Sequence, residues 1–267
     1  MNIYICGDLH QDKNTVRNFY NNHIKNTPKE QEENWMICLG DFGALYSFDY
    51  RDRNFKREMS KYPFKYFVIR GNHEARASVR QVAEPDLWEE VEVFGNKCLR
   101  QPAYPNIYYA RDDGGIYNIN GRKTLVIPGA YSVDKHYRLM RGWQWFPDEQ
   151  LQSWEMANLL EKAKGQHFDL VLSHTCFYSG MPRDAFLPSI NQSTVDNSME
   201  NFMEKLKEQI TFSLWLWAHY HLDRVELPYC EIFYNEVENL LDVEARWEKY
   251  NKTKELDWWI PRGPQMK

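Results

Sequence analysis

Short, largely apolar runs recur along the chain at residues 3–6, 36–39, 66–69, 125–127, 170–172 and 212–217. Runs of this length without polar alternation fit strands covered on both faces, where neither side meets water. Between them lie polar stretches of helical character at residues 13–25, 54–61, 148–164 and 196–209. In the third, Pro147-Asp148 reads as a helix start ahead of an apolar stripe at Leu151, Trp154, Leu159 and Leu160. Strands alternating with helices over most of the length predict an α/β layered fold. Two antiparallel pairs break the alternation. Asn120-Gly121 between two apolar runs is a strong two-residue hairpin signal, and a second pair is expected over residues 223–233, turning at Pro228-Tyr229.

Residues 75–105 carry Pro85, Pro102 and Pro105 and little clear period, which predicts a helical and looped insertion. Residues 242–267 are highly charged and end in Trp258-Trp259-Ile260-Pro261, a pattern expected to form a helix followed by an aromatic clasp. The expected organisation is one domain over residues 1–241, with the insertion at 75–105, and a charged, Trp-containing tail over 242–267.

Composition narrows the class. Hydrophobic residues at 43% and charged residues at 27% are ordinary globular values and exclude a mainly disordered chain. No apolar stretch approaches the roughly 20 residues that a membrane span needs, so no membrane partner is expected. The N-terminus reads as lacking a basic flank and apolar leader. Five cysteines without a CxxC pair read as buried free thiols, and the two features together predict a cytoplasmic setting. A formal charge of −5 argues against a broad, sequence-blind grip on nucleic acid while leaving room for a local basic pocket.

The chemistry gathers where apolar runs stop. Asp8 and His10 follow the first run, Gly40-Asp41 the second, and Gly71-Asn72-His73-Glu74 the third. His174 follows residues 170–172, and His219 and His221 follow residues 212–217. In open α/β sheets, ligands bind outside the carboxyl ends of the strands, where the loops converge. Carboxylate, imidazole and amide are good oxygen and nitrogen ligands for divalent metals. Cysteine takes no part, which disfavours a structural zinc site. Any one cluster alone is an ordinary turn or a structural histidine; five of the 8 histidines falling in such clusters is not.

The series Asp8-Leu9-His10, Gly40-Asp41, Gly71-Asn72-His73-Glu74, His174 and Ala218-His219-Tyr220-His221 resembles the calcineurin-like metallophosphoesterases. The resemblance implies a four-layer α/β/β/α sandwich of two mixed sheets flanked by helices. It implies two divalent metal ions (Mn, Fe, Zn, Co or Ni), with Asp8, His10 and His221 on the first. Asn72, His174 and His219 would hold the second, and Asp41 would bridge both. It further implies attack on phosphorus by a metal-bridging hydroxide, with His73 as the catalytic acid facing the leaving group. Glu74 is expected to steady the local turn. Two departures stand out: Ala218 replaces the usual glycine, and the Asp-Arg-Gly that protein phosphatases of this superfamily carry after Gly-Asp is missing, since Phe42-Gly43-Ala44 stands there.

Residues 128–145 also follow an apolar strand and mix basic with aromatic side chains. Lys135, Arg138 and Arg141 are candidates for phosphate oxygens, while Tyr131, Trp143 and Trp145 are candidates for stacking. A surface helix with inward aromatics is the equal alternative. Residues 177–192 are expected to form a rim loop with Arg183 as a candidate contact, and residues 75–105 a lid or pocket wall near Arg76 and Arg80. A small phosphodiester or nucleotide is the favoured substrate. A metal-dependent nuclease is the alternative, disfavoured by charge, followed by a protein or small-molecule phosphomonoesterase. A non-catalytic interaction module on the same fold is the reading from a different class.

Overall fold

The computed structural model describes residues 1–26, 33–226 and 229–254. Its strands in chain order are β1 (Asn2–Cys6), β2 (Asn34–Cys38), β3 (Lys65–Val68), β4 (Glu89–Val93), β5 (Asn96–Arg100), β6 (Ile107–Tyr109), β7 (Gly115–Ile119), β8 (Arg122–Ile127), β9 (His167–Ser173), β10 (Thr211–Trp217), β11 (Arg224–Glu226), β12 (Cys230–Ile232) and β13 (Val237–Asn239). The α-helices are α1 (Lys13–Phe19), α2 (Tyr50–Met59), α3 (Ala77–Ala83), α4 (Lys135–Met140), α5 (Ser153–Ala163), α6 (Ser198–Lys207) and α7 (Leu240–Thr253). One sheet has the order β13-β1-β2-β3-β6-β5-β4 and the other β11-β12-β10-β9-β8-β7.

Side chains alternate across a strand, so a run that is apolar throughout needs cover on both faces. Here it finds both. Ile3, Ile5, Ile37 and Phe67 point into the layer between the sheets, where they meet Leu170, Leu172, Leu214 and Leu216. Their neighbours Tyr4, Cys6, Met36, Cys38 and Tyr66 face outward onto Val16 of α1 and Phe55 and Met59 of α2. On the second sheet, Val171, Trp215 and Trp217 face outward onto Leu159 and Ala163 of α5 and Met203 and Leu206 of α6. Three apolar layers separated by two mixed sheets make the four-layer α/β/β/α sandwich.

The β7–β8 hairpin turns at Asn120 and Gly121, both at positive φ, as a two-residue turn requires. The pair β11–β12 is antiparallel as expected, although Pro228 of its turn lies outside the described residues. The cysteines are all free and buried. Among the described residues no helix is long and apolar enough to cross a membrane.

Several expectations are corrected. Residues 75–105 contain α3 and then the β4–β5 hairpin, which extends the first sheet, rather than helix and loop alone. α5 begins at Ser153, not at Pro147-Asp148: the Glu155 side chain reaches back to accept from the Gln152 backbone N–H at 2.7 Å. Trp154 is 62% exposed, and the buried face of α5 is Glu155, Leu159 and Ala163. The expected boundary at 241/242 falls inside α7, whose Leu240, Val243 and Trp247 enter the layer between the sheets. The clasp at residues 258–261 lies outside the described residues.

Candidate metal centre

β1, β2 and β3 run parallel in one sheet, and β8, β9 and β10 run parallel in the other. Their carboxyl ends carry the loops that hold Asp8, His10, Asp41, Asn72, His73, Ser132, His174, His219 and His221, and those loops converge. The turns are tight: His10, Asp41, His219 and His221 all adopt positive φ, unfavourable for residues with a side chain and typical of strained functional loops. Two glycines permit the approach. A Cβ on Gly40 would lie 2.0 Å from His174 Nδ1, and one on Gly71 would lie 2.0 Å from Asp41 Oδ1.

The side chains meet as two sets around Asp41. Asp8, His10 and His221 place one ligand atom each within 4.8 Å of one another, as do Asp8, Asp41 and His174. The Nε2 atoms of His10 and His221 are 3.1 Å apart. On the other side, Asn72 Oδ1 lies 2.8 Å from His174 Nε2 and 3.1 Å from His219 Nδ1. Asp41 Oδ2 stands 3.7 Å from His10 Nε2 and 3.7 Å from His174 Nε2, one histidine from each set. A third histidine, His73, joins His10 and Asp41 in a further cluster.

The donor set fits a cation. His174 Nδ1 lies 2.7 Å from the Leu39 carbonyl, which can only accept, so the ring proton sits on Nδ1 and Nε2 presents a lone pair. Asn72 Nδ2 donates to Ser132 Oγ at 2.9 Å, which turns Oδ1 toward the histidines. Ser132 gives its one proton to Glu149 Oε2 at 2.5 Å and accepts from Arg138 Nη1 at 3.1 Å, so the Asn72 amide is locked in that orientation. Two acceptors thus face each other at hydrogen-bond distance with no proton between them. A cation removes that repulsion.

Burial sets the charge states. It pushes the Asp8 carboxyl well above its ordinary value, with Asp41 adding repulsion, while the backbone N–H of His219 donates to Asp8. Asp41 is desolvated too, yet His174, His73 and His10 hold it below the usual carboxylate range. Burial drives His73 down to about 3 and His221 to about 4, so both are neutral ligands or donors at pH 7 in the metal-free chain. Glu74, pushed up to about 8 by burial and by Asp41, accepts from the backbone N–H groups of Gly43 and Gly71. It ties together the loops that carry Asp41 and Asn72, a steadying role as expected from the sequence.

A cavity of about 580 Å³ opens from the cluster, lined at one end by Asp41, Asn72, His73, His219 and His221. Of the candidate substrate contacts, Tyr131 lines it; Lys135, Arg138, Arg141 and Arg183 do not. Arg138 is fully buried behind Ser132. Lys135 Nζ sits 3.9 Å over the Trp145 ring, Arg141 lies over Tyr137, and Arg183 lies over Tyr178 and donates to its carbonyl. No part of residues 75–105 lines the cavity either. Arg76 instead grips Glu155 of α5 through Nη1 and Nη2, and Arg80 pairs with Glu84. Trp143 is 54% exposed and packs edge-on against Tyr137.

The structure adds residues that sequence reasoning passed over. Asp134 Oδ1 is 3.8 Å from His73 Nε2, and Tyr46 stacks on the His73 ring at 6.3 Å. Ser132 and Glu149 orient Asn72 from loops far away in the chain. Ser132 and Asp134 stood inside a segment noted for its basic and aromatic residues, but nothing local marks Glu149 or Tyr46.

The family model for calcineurin-like phosphoesterases matches residues 1–223, and the chain belongs to that family. It is accordingly a metal-dependent phosphoric ester hydrolase acting on a phosphorylated substrate. A search of curated proteins gives no match. Similar solved structures include TT1561 of Thermus thermophilus, at 14% identity and a TM-score of 0.44, covering 89% of this chain and 97% of that one. The phosphopantetheinyl hydrolase of Mycobacterium tuberculosis is 13% identical with a TM-score of 0.42, covering 100% and 98%. An archaeal phosphodiesterase is 13% identical with a TM-score of 0.29, covering 67% and 74%.

Proposed function

We propose that this chain hydrolyses a small phosphodiester at a dinuclear metal centre. The observation that carries the reading is the convergence of two nitrogen–oxygen donor sets on the single carboxylate of Asp41. Asp8, His10 and His221 would hold one divalent ion, Asn72, His174 and His219 would hold the other, and Asp41 would serve both. When bound, the pair supplies Lewis-acid stabilisation of the phosphoryl oxygens and makes water acidic enough to attack near neutral pH.

The protein's own groups do the rest. Asn72, His219 and Asp41 line the cavity floor, so an ester in the cavity would meet the metal ligands directly. His73 stands beside His10 with ring centroids 5.1 Å apart, and its Nε2 faces Asp134. Burial keeps this imidazole neutral, but a bound phosphoester anion favours its protonated form, and Asp134 then steadies the proton for delivery to the leaving oxygen. A diester suits the site better than a monoester, because it brings one negative charge instead of two against Asp134, Asp196 and Glu200 of the lining.

Turnover of p-nitrophenyl phosphate and bis-p-nitrophenyl phosphate, with Mn²⁺ or with a chelator, tests this reading. The expected result is metal-dependent cleavage of the diester, lost in Asp41→Asn. Cleavage of the monoester alone would overturn the diester assignment, and cleavage that survives the chelator would overturn the metal centre.

A further inference from the structure

The cavity is far larger than a phosphoryl group requires and falls in the size range of pockets that enclose whole small molecules, roughly 300–1,000 Å³. Its walls beyond the metal cluster are apolar with acidic and amide interruptions. Among the described residues no Lys or Arg lines it, and its charged groups there are Asp134, Asp196 and Glu200. The remainder is mainly apolar, with Val133, Met181, Phe186, Leu187, Ile190 and Val195. Leu187 stays 51% exposed, which leaves apolar surface open to a ligand. Phe186 lies nearly parallel to Tyr220, 13° between planes and 6.2 Å between centroids, and Tyr234 lies parallel to His221 at 4.6 Å.

Beside the more exposed Asp134, Gln192, Asp196 and Asn197, this wall carries one buried polar side chain. Glu200 is 4% exposed and lines the cavity. Its Oε1 accepts from Thr175 Oγ1 at 2.7 Å, while its Oε2 is buried with no partner among the described residues. A buried carboxyl oxygen left unpaired costs free energy until a donor reaches it. A second phosphate or a nucleic-acid strand would instead lay anionic charge against acidic side chains, because the nearest cations, Arg138 at 3.8 Å from Asp134 and Lys135 near Asp196, do not line the cavity.

From these surfaces we infer that the organic part of the substrate is an uncharged, mainly apolar arm carrying one hydrogen-bond donor, which Glu200 Oε2 reads. This rests on the phosphoesterase reading of the same site and names the substrate class for it.

The test is calorimetric binding of non-hydrolysable phosphonates to the Mn²⁺-loaded protein, read separately from turnover. Across methyl-, butyl- and octylphosphonate, the dissociation constant should fall about two- to fourfold per buried methylene. The neutral variant Leu187→Asn/Ile190→Asn, which makes the wall that receives the arm polar without adding charge, should flatten that slope and affect methylphosphonate least of the series. In a series of ω-hydroxyalkylphosphonates, one chain length should lose less than threefold relative to its alkyl counterpart. An unpaired buried hydroxyl would lose about tenfold or more at every length. A flat chain-length series overturns the apolar arm, and a tenfold loss at every length overturns the Glu200 contact. A retained slope without cleavage of any ester supports the arm and counts against the catalytic reading alone.

Discussion

His174 Nε2 and Asn72 Oδ1 face each other across 2.8 Å as two hydrogen-bond acceptors. Each has its proton-bearing atom engaged elsewhere, His174 Nδ1 at the Leu39 carbonyl and Asn72 Nδ2 at Ser132 Oγ. The fold therefore holds two lone pairs at hydrogen-bond distance, a repulsion that a bound cation would relieve, and it does so through Leu39 and Ser132.

Ser132 is the lever on Asn72. Ser132→Ala removes the acceptor that orients the amide, so divalent-metal affinity should fall about 10–100-fold, the range typical of lost outer hydrogen bonds to metal ligands. Titration of the metal-free protein with Mn²⁺ reads this directly. Unchanged affinity would show that Asn72 is oriented without Ser132.

The crowding of Asp8 and Asp41 makes a trade of stability for metal. Asp8→Asn keeps the acceptor for the His219 N–H but removes a carboxylate that burial and Asp41 both disfavour. In chelator the variant should melt higher than the wild type, by about 2–4 °C for each kcal/mol of relieved repulsion in a chain of this size. Added Mn²⁺ should stabilise the wild type by mass action and leave the variant nearly unmoved. A variant no more stable than wild type in chelator would contradict the electrostatic account.

Glu200 gives a pH dependence of definite sign. Burial raises its carboxyl from the ordinary 4.5 to about 7, so the folded chain binds a proton in that window that the unfolded chain has lost. Its contribution is present below pH 4.5 and is lost as pH rises through 7, up to about 3 kcal/mol in all. Glu200→Gln should therefore gain on wild type between pH 5 and pH 8 in urea unfolding with chelator present. A difference between the two proteins that does not change with pH would place the Glu200 carboxyl near its ordinary value.

Gly40 carries the close approach of β2 to His174. Its φ is +108°, and an added Cβ would meet His174 Nδ1 at 2.0 Å. Gly40→Ala should cost about 1–3 kcal/mol in backbone strain and displace His174, so metal affinity should fall together with stability in denaturation and Mn²⁺ titration. Loss of neither would mean that the loop relaxes freely.

The parts of the fold that could be read ahead were the buried ones. The carboxyl-terminal halves of β1, β2, β3, β9 and β10 are covered on both faces, so those residues are almost all apolar, and the residues just past their ends stood out as polar interruptions. The β4–β5 hairpin left no such mark. It sits at the edge of its sheet, and Glu89-Glu90-Val91-Glu92-Val93 buries only Val93 fully. β6 is three residues between a proline-rich stretch and a charged turn, too short for a periodic signal. Arg138 shows the limit for the site: a basic residue beside a strand end reads as a phosphate ligand, but Ser132 packs it fully inside. Glu149 acts on the site from a turn beyond α4, and that contact exists only once the chain has folded.

The central claim is that two ions, joined by Asp41, are both needed for turnover. The direct test is hydrolysis of bis-p-nitrophenyl phosphate as metal-free protein is titrated with Mn²⁺, with bound metal counted at each step. The account predicts little activity through the first equivalent, a rise through the second, and none in Asp41→Asn. Full activity at one equivalent, or no activity on any phosphate diester with two bound, would contradict it.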